Sequence, residues 1–174
     1  MTRKSEEPIR TSRLKKWSKE LGLMMIVVVA ISLLMDRYYS ADMPDGDAPP
    51  IVATALSGET IDVIKASREK PVIVYFWATW CGACRWVSPT INYFADQHTV
   101  VSVALSSGQD ERVRQYMQAK QYQFSVLNDS TGHISRDWNI AVTPTIVIIK
   151  DGKIKSIATG ITSPVGLWLR TLFA

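Results

Sequence analysis

Residues 71–84 read PVIVYFWATWCGAC. From Pro71 to Ala78 every residue is apolar, β-branched or aromatic, and none carries a charge. A short run of this kind, without polar alternation, predicts a strand buried on both faces, as in sheets covered by helices on either side. Cys81 and Cys84 follow, the only two cysteines among 174 residues. The continuation CRWVSPTINYFADQ predicts a helix beginning at the cysteines, with Pro89 as a kink. The two thiols therefore stand at a strand-to-helix junction.

The alternation continues toward the C-terminus. TVVSVAL (99–105) predicts a second buried strand, and DERVRQYMQAKQ (110–121) an amphipathic helix opened by Asp110 and Glu111, which suit a helix N-terminus. FSVLND reads as a strand, GHISRDWNI as a short helix, and TIVIIKDGKIKSIATG as a hairpin turning at Asp151-Gly152. PVGLWLRTLF predicts a closing helix with Pro164 in its first turn. Strands alternating with helices and ending in a hairpin predict an α/β domain over residues 51–174, a central mixed sheet flanked by helices.

Upstream the character changes. Of 20 basic and 16 acidic residues, seven and three fall within residues 1–20, so the remaining 13 and 13 cancel. A neutral main body lacks the basic surface of a nucleic-acid-binding domain and predicts no nucleic-acid partner. The basic excess instead precedes LGLMMIVVVAISLLM, Leu21 to Met35, fifteen residues without a charge. A helix of that length spans about 22 Å, short of the roughly 30 Å hydrocarbon core. Trp17, Tyr38 and Tyr39 are placed as interfacial anchors, and Lys19 and Arg37 can snorkel. The expected organisation is a basic cytoplasmic tail (1–16), a transmembrane signal anchor (17–39), a polar linker SADMPDGDAPP (40–50) and the domain. The alternatives are a cleaved signal peptide and a buried core helix. Against cleavage, Ala41 has Tyr39 two places before it, so no small-x-small site follows the apolar run. The positive-inside rule puts the domain outside the cytoplasm, in the oxidising periplasm at a bacterial inner membrane.

Two thiols at this spacing have several uses. A structural zinc site needs four ligands, and His98 and His133, the only histidines, share no ligand-like spacing with the cysteines. Two soft thiolates can hold Cu(I), so a periplasmic Cu(I) carrier stands as the alternative. As a staple the pair would close a tiny loop and remove little chain entropy. As a redox couple it is well placed: unpaired N–H groups at a helix start stabilise a thiolate at Cys81, and Cys84, one turn later, can resolve a mixed disulfide. Farther on, AVTPTIVIIK places Thr143-Pro144 directly before a buried strand, where proline is unusual. The expectation is a cis peptide packed against Cys81, with the Thr143 backbone pairing an incoming extended chain; the plain alternative is a trans proline at a strand start.

VIVYFWATWCGAC with Arg85 and Pro89, VTPT, KDG and Gly160 together resemble the thioredoxin superfamily across residues 51–174. The FWATWC phrase, the leading anchor and an extra strand–helix insertion over Val100–Gln121 resemble its membrane-anchored TlpA, ResA and DsbE branch, and within it the D proteins of suppressor-for-copper-sensitivity operons. The resemblance implies a thiol:disulfide oxidoreductase needing no cofactor. It implies Cys81 and Cys84 as the redox pair, with Thr143, Pro144 and Trp80 at the substrate. It also implies protein thiols as partners, a transmembrane electron donor that keeps the pair reduced, and a link to copper tolerance.

Three departures bear on mechanism. Where thioredoxins carry a buried aspartate, this chain has Tyr75; where cytochrome-maturation members carry an acid, it has Val87; and the residues between the cysteines are Gly82 and Ala83. Apocytochrome reduction is therefore not implied. Glu59 and Glu69 remain as remote candidates for the proton acceptor of Cys84, although both fit solvated positions. Trp77 is expected over the active site beside Trp80, Trp138 and Trp168 in packing roles, and Arg85 in solvent. Met24, Met25 and Met35 belong to the apolar run and not to a copper box.

Overall fold

The computed structural model describes the backbone from Ile9 to Ala174 and the side chains from Lys16 onward. The basic tail expected over residues 1–16 lies outside the described residues except for its helical backbone from Ile9 and Lys16. Two compact units make up the chain, one ending at Arg37 and one running from Tyr38 to Ala174.

The first unit is helical, with α1 running Ile9–Tyr39. Its segment Lys16–Tyr39, 24 residues of mean hydropathy 1.9, is long and apolar enough to cross a membrane. At 1.5 Å per residue that segment is about 36 Å long. The shortfall of the fifteen-residue apolar run disappears because the helix continues through its polar flanks.

In the second unit, β3 (Val72–Trp77) lies at the centre of a five-stranded sheet. Its neighbours are β4 (Thr99–Leu105), parallel, and β6 (Thr145–Lys150), antiparallel. β5 (Ser125–Asp129) adds in parallel to β4, and β7 (Lys153–Thr159) returns antiparallel to β6. All six residues of β3 are buried. Ile73, Tyr75 and Trp77 face α3 (Cys84–Ala95), α4 (Asp110–Lys120) and α6 (Pro164–Leu172) through Val87, Ile91, Val113, Met117 and Leu167. Val72, Val74 and Phe76 face the opposite core around Trp138, Val147 and Ile149. This alternation between two covered faces is what an uninterrupted apolar strand requires. The sheet and its helices form the expected thioredoxin-like α/β fold, and the β6–β7 turn uses Asp151 (φ 54°) and Gly152 (φ 72°), the left-handed pair of a two-residue hairpin.

Several local expectations need correction. Val100–Gln121 is no appendage, because its strand is β4, held between β3 and β5 inside the sheet. Residues 51–70 contain a separate hairpin of β1 (Val52–Thr54) and β2 (Thr60–Asp62), followed by α2 (Val63–Glu69), whose first turn is capped by the Asp62 carboxylate accepting from the Lys65 N–H at 2.9 Å. The stretch 40–50, expected as a linker, is tied to the folded unit. Met43 and Ala48 are buried, the backbone of Asp47 forms an antiparallel β-bridge with that of Lys153, and the Ala48 N–H donates to the Gly152 carbonyl at 2.9 Å. Trp77 is fully buried in the core and does not lie over the site, while Trp168, on α6, is half exposed.

Candidate active site

The site lies where β3 ends. After Trp77 the chain makes one turn, closed by the Cys81 N–H donating to the Ala78 carbonyl at 3.1 Å. Helix α3 begins at Cys84, and its first N–H points back to the Cys81 Sγ at 3.1 Å. Cys81 and Cys84 are joined as a disulfide, with Cys84 wholly buried and Cys81 6% exposed. A helix start aimed at a sulfur favours its anionic form once the disulfide opens.

Thr143 and Pro144 arrive from 62 residues away because of the sheet. β6 runs antiparallel to β3 with Phe76 opposite Thr145, so the residues that precede β6 fall beside the end of β3. The Thr143–Pro144 peptide is cis, and the Thr143 carbonyl oxygen lies 3.5 Å from the Cys81 Sγ. The Pro144 carbonyl accepts from the Gly160 N–H at 2.8 Å, which ties this loop to the end of β7. Trp80 is 62% exposed, its indole N–H held by the Ser106 carbonyl at 3.1 Å. The five residues proposed from the sequence thus gather at one end of the sheet, and Arg85 is exposed there, as expected.

Sequence reasoning missed three serines. Ser107 is buried, and its Oγ accepts from the Thr79 N–H at 3.0 Å and donates to the Leu105 carbonyl at 3.0 Å. Ser106 supplies the carbonyl that holds Trp80. Ser88, buried in α3 one turn beyond Cys84, lies 2.9 Å from the Tyr75 hydroxyl. The available signal was position: both loops lie at the C-terminal ends of parallel strands, where sites in such sheets form.

Tyr75 occupies the place of the thioredoxin aspartate without its chemistry. Burial pushes its phenol well above the ordinary tyrosine range, only partly offset by the Ser88 bond, so it stays neutral. Burial and the neighbouring Tyr116 also raise Tyr122, which shares Ser88. Glu59 and Glu69 are both exposed, and Glu69 precedes the start of β3, the end of the strand away from the cysteines. Asp129, the one buried acid among the described residues, has its carboxylate occupied by the Ile134 and Ser135 N–H groups. Neither histidine approaches the cysteines to complete a ligand set: His98 stacks on Phe94, His133 pairs with Asp137 at 3.1 Å, and no cluster of three metal-ligating side chains occurs among the described residues.

Comparison with known proteins agrees with this geometry. Residues 44–157 match the AhpC/TSA family. Over 163 residues the chain is 37% identical to a thioredoxin-like protein of Haemophilus influenzae, covering 93% of this chain and 97% of that one. It is 31% identical over 113 residues to the thiol-disulfide oxidoreductase ResA of Bacillus thuringiensis, covering 62% and 65% of the two chains. Among solved structures it is similar, at TM-score 0.60 and 26% identity, to a secreted Mycobacterium tuberculosis disulfide oxidoreductase homologous to Escherichia coli DsbE, over 70% of this chain and 94% of that one.

Proposed function

The chain belongs to the AhpC/TSA family, in its thioredoxin-like part, and from that premise we propose that it is a membrane-anchored periplasmic thiol:disulfide oxidoreductase acting on protein partners. The observation that carries this is the placement of the Cys81 sulfur between the first N–H of α3 and the Thr143 backbone.

In the reduced protein, the Cys81 thiolate attacks one sulfur of a substrate disulfide. A mixed disulfide forms and the other substrate sulfur leaves as a thiolate. Cys84 then loses its proton and attacks the Cys81 Sγ, releasing the second substrate thiolate and closing the Cys81–Cys84 bond. Two electrons have passed to the substrate, and a transmembrane electron donor returns them by the reverse exchange. Thr143 offers its backbone to an extended substrate segment, the cis Pro144 shapes the loop that presents it, and Trp80 provides the flat apolar contact beside the sulfur. The chemistry needs no cofactor. The apolar span Lys16–Tyr39 supports anchoring in a bacterial inner membrane, and the likeness to a secreted disulfide oxidoreductase supports a domain outside the cytoplasm, in the periplasm. The copper-tolerance link is carried over from the sequence resemblance.

The test is reduction of insulin by the full chain in detergent with a thiol donor. Wild type reduces it, Cys81→Ser is inactive, and Cys84→Ser accumulates a mixed disulfide. Tight one-to-one Cu(I) binding with no thiol exchange would replace this function by that of a Cu(I) carrier using the same thiols.

A further inference from the structure

We propose that Ser107 is a positioning residue for the Cys81–Cys84 couple, gripping, together with the Ser106 carbonyl, the turn that presents Cys81. The proposal deepens the redox function above and rests on it. The turn runs from Ala78 to Cys81, and its two central residues are Thr79 and Trp80. Each is held by one of two consecutive residues that follow β4: the Thr79 N–H donates to the Ser107 Oγ at 3.0 Å, and the Trp80 indole N–H to the Ser106 carbonyl at 3.1 Å. Parallel pairing of Trp77 with Ala104 is what lays the end of β4 beside this turn.

The gripping loop is itself fixed. Ser106 (φ 43°) and Gly108 (φ 90°) adopt left-handed backbone. The Ser106 N–H donates to the Asp129 carbonyl at 3.2 Å, and the Asn128 amide to the Gly108 carbonyl at 3.0 Å. Ser107 is 2% exposed, and its hydroxyl is used in both senses, accepting from Thr79 and donating to Leu105. The Thr79 hydroxyl is buried without a hydrogen-bond partner, so it supplies no second anchor for this segment.

Neither serine touches a sulfur, so the action runs through the turn. In the reduced protein, the thiolate at Cys81 depends on the Cys84 N–H that lies 3.1 Å from it. That alignment requires Cys81 to be held one helical turn before Cys84. Removing the Ser107 hydroxyl frees the Thr79 N–H and lets the turn relax. The thiolate is then less stabilised, the Cys81 pKa rises, and the couple becomes more reducing.

The experiment uses the full chain in detergent as wild type, Ser107→Ala, Ser107→Thr and Trp80→Phe. Two quantities are read: the pH profile of Cys81 alkylation by iodoacetamide in the reduced protein, and the equilibrium of the dithiol with glutathione. Ser107→Ala is expected to move the alkylation midpoint upward and shift the equilibrium toward the protein disulfide by about threefold to tenfold, the worth of one hydrogen bond. Ser107→Thr, which keeps the hydroxyl, restores both. Equal loss of stability in the oxidised and reduced forms, with profile and equilibrium unchanged, would make Ser107 purely structural and overturn the proposal. Should Ser107→Ala not accumulate, Trp80→Phe removes the second grip while keeping a ring. It must shift both readouts in the same direction, and an unshifted result overturns the proposal. A wild type that neither alkylates as a thiolate nor equilibrates with glutathione overturns the redox function itself, and the proposal with it.

Discussion

Replacing Tyr75 by phenylalanine separates a structural hydroxyl from a catalytic one. The ring is fully buried, stacked on Trp77 at 6.3 Å and set edge-on to Phe124 at 6.1 Å, and phenylalanine keeps those contacts. What is lost is the hydroxyl bond to Ser88. The cost at neutral pH is therefore that of one net hydrogen bond, about 1 kcal/mol. The pH dependence runs the other way. In the folded wild type the Tyr75 phenol titrates well above its unfolded value because burial disfavours the anion. Above pH of about 10 the unfolded chain loses this proton and the folded one keeps it, so wild-type stability falls by up to about 1.4 kcal/mol per pH unit. The variant lacks this term.

The two stability curves should therefore cross between about pH 10.5 and 11, with the phenylalanine variant less stable below and more stable above. Urea unfolding of the oxidised protein, followed by tryptophan fluorescence from pH 7 to 11, measures this. Curves that stay parallel to pH 11 would refute the burial argument. The same variant should resolve a mixed disulfide at the wild-type rate, because a phenol that stays neutral is not the base for Cys84. A tenfold slower second step in stopped-flow exchange would place the hydroxyl in the proton path and refute the passive role.

Trp77→Phe should cost about 1 kcal/mol more than Trp138→Phe in the same unfolding assay. Both rings are fully buried, but only Trp77 spends its indole N–H on a partner, Ser102 at 3.1 Å, whereas the Trp138 N–H has none. Asp62→Ala removes the N-cap of α2 and should lower stability by about 1 kcal/mol, with Asp62→Asn recovering most of it. Gly152→Ala forces a side chain into left-handed backbone in the β6–β7 turn and should cost about 1–2 kcal/mol, read as a lower urea midpoint with unchanged slope.

What was legible in the sequence follows from what side chains encode. The strand before the cysteines announced itself because both faces of β3 are covered, leaving no position for a polar residue. The Asp151-Gly152 hairpin was legible because its turn demands left-handed residues. Interactions made by main chain left no such mark. β1 and β2 are three residues each, too short for a periodic pattern, and went unseen. Residues 40–50 looked like a linker because they are polar and rich in proline, yet the Ile154 N–H donates to the Gly46 carbonyl at 2.8 Å, a bond indifferent to side-chain type.

The site divides along the same line. Cys81, Cys84, Thr143 and Pro144 stood out in the sequence because the residue types themselves are rare where they stand: two thiols at a strand-to-helix junction and a proline at a strand start. The loop LSSGQ, by contrast, has the composition of any solvated turn. Ser107 acquires its role only because β4 runs parallel to β3, bringing its hydroxyl to the Thr79 N–H. Thr143 likewise reaches Cys81 because β6 runs antiparallel to the same strand and begins where that strand ends. One central strand thus collects the dithiol from its own continuation, the cis-proline loop from one neighbour and the serine clamp from the other. A substitution that slipped β3 by one residue would turn Tyr75 and Trp77 to the other core and displace all three contributions together.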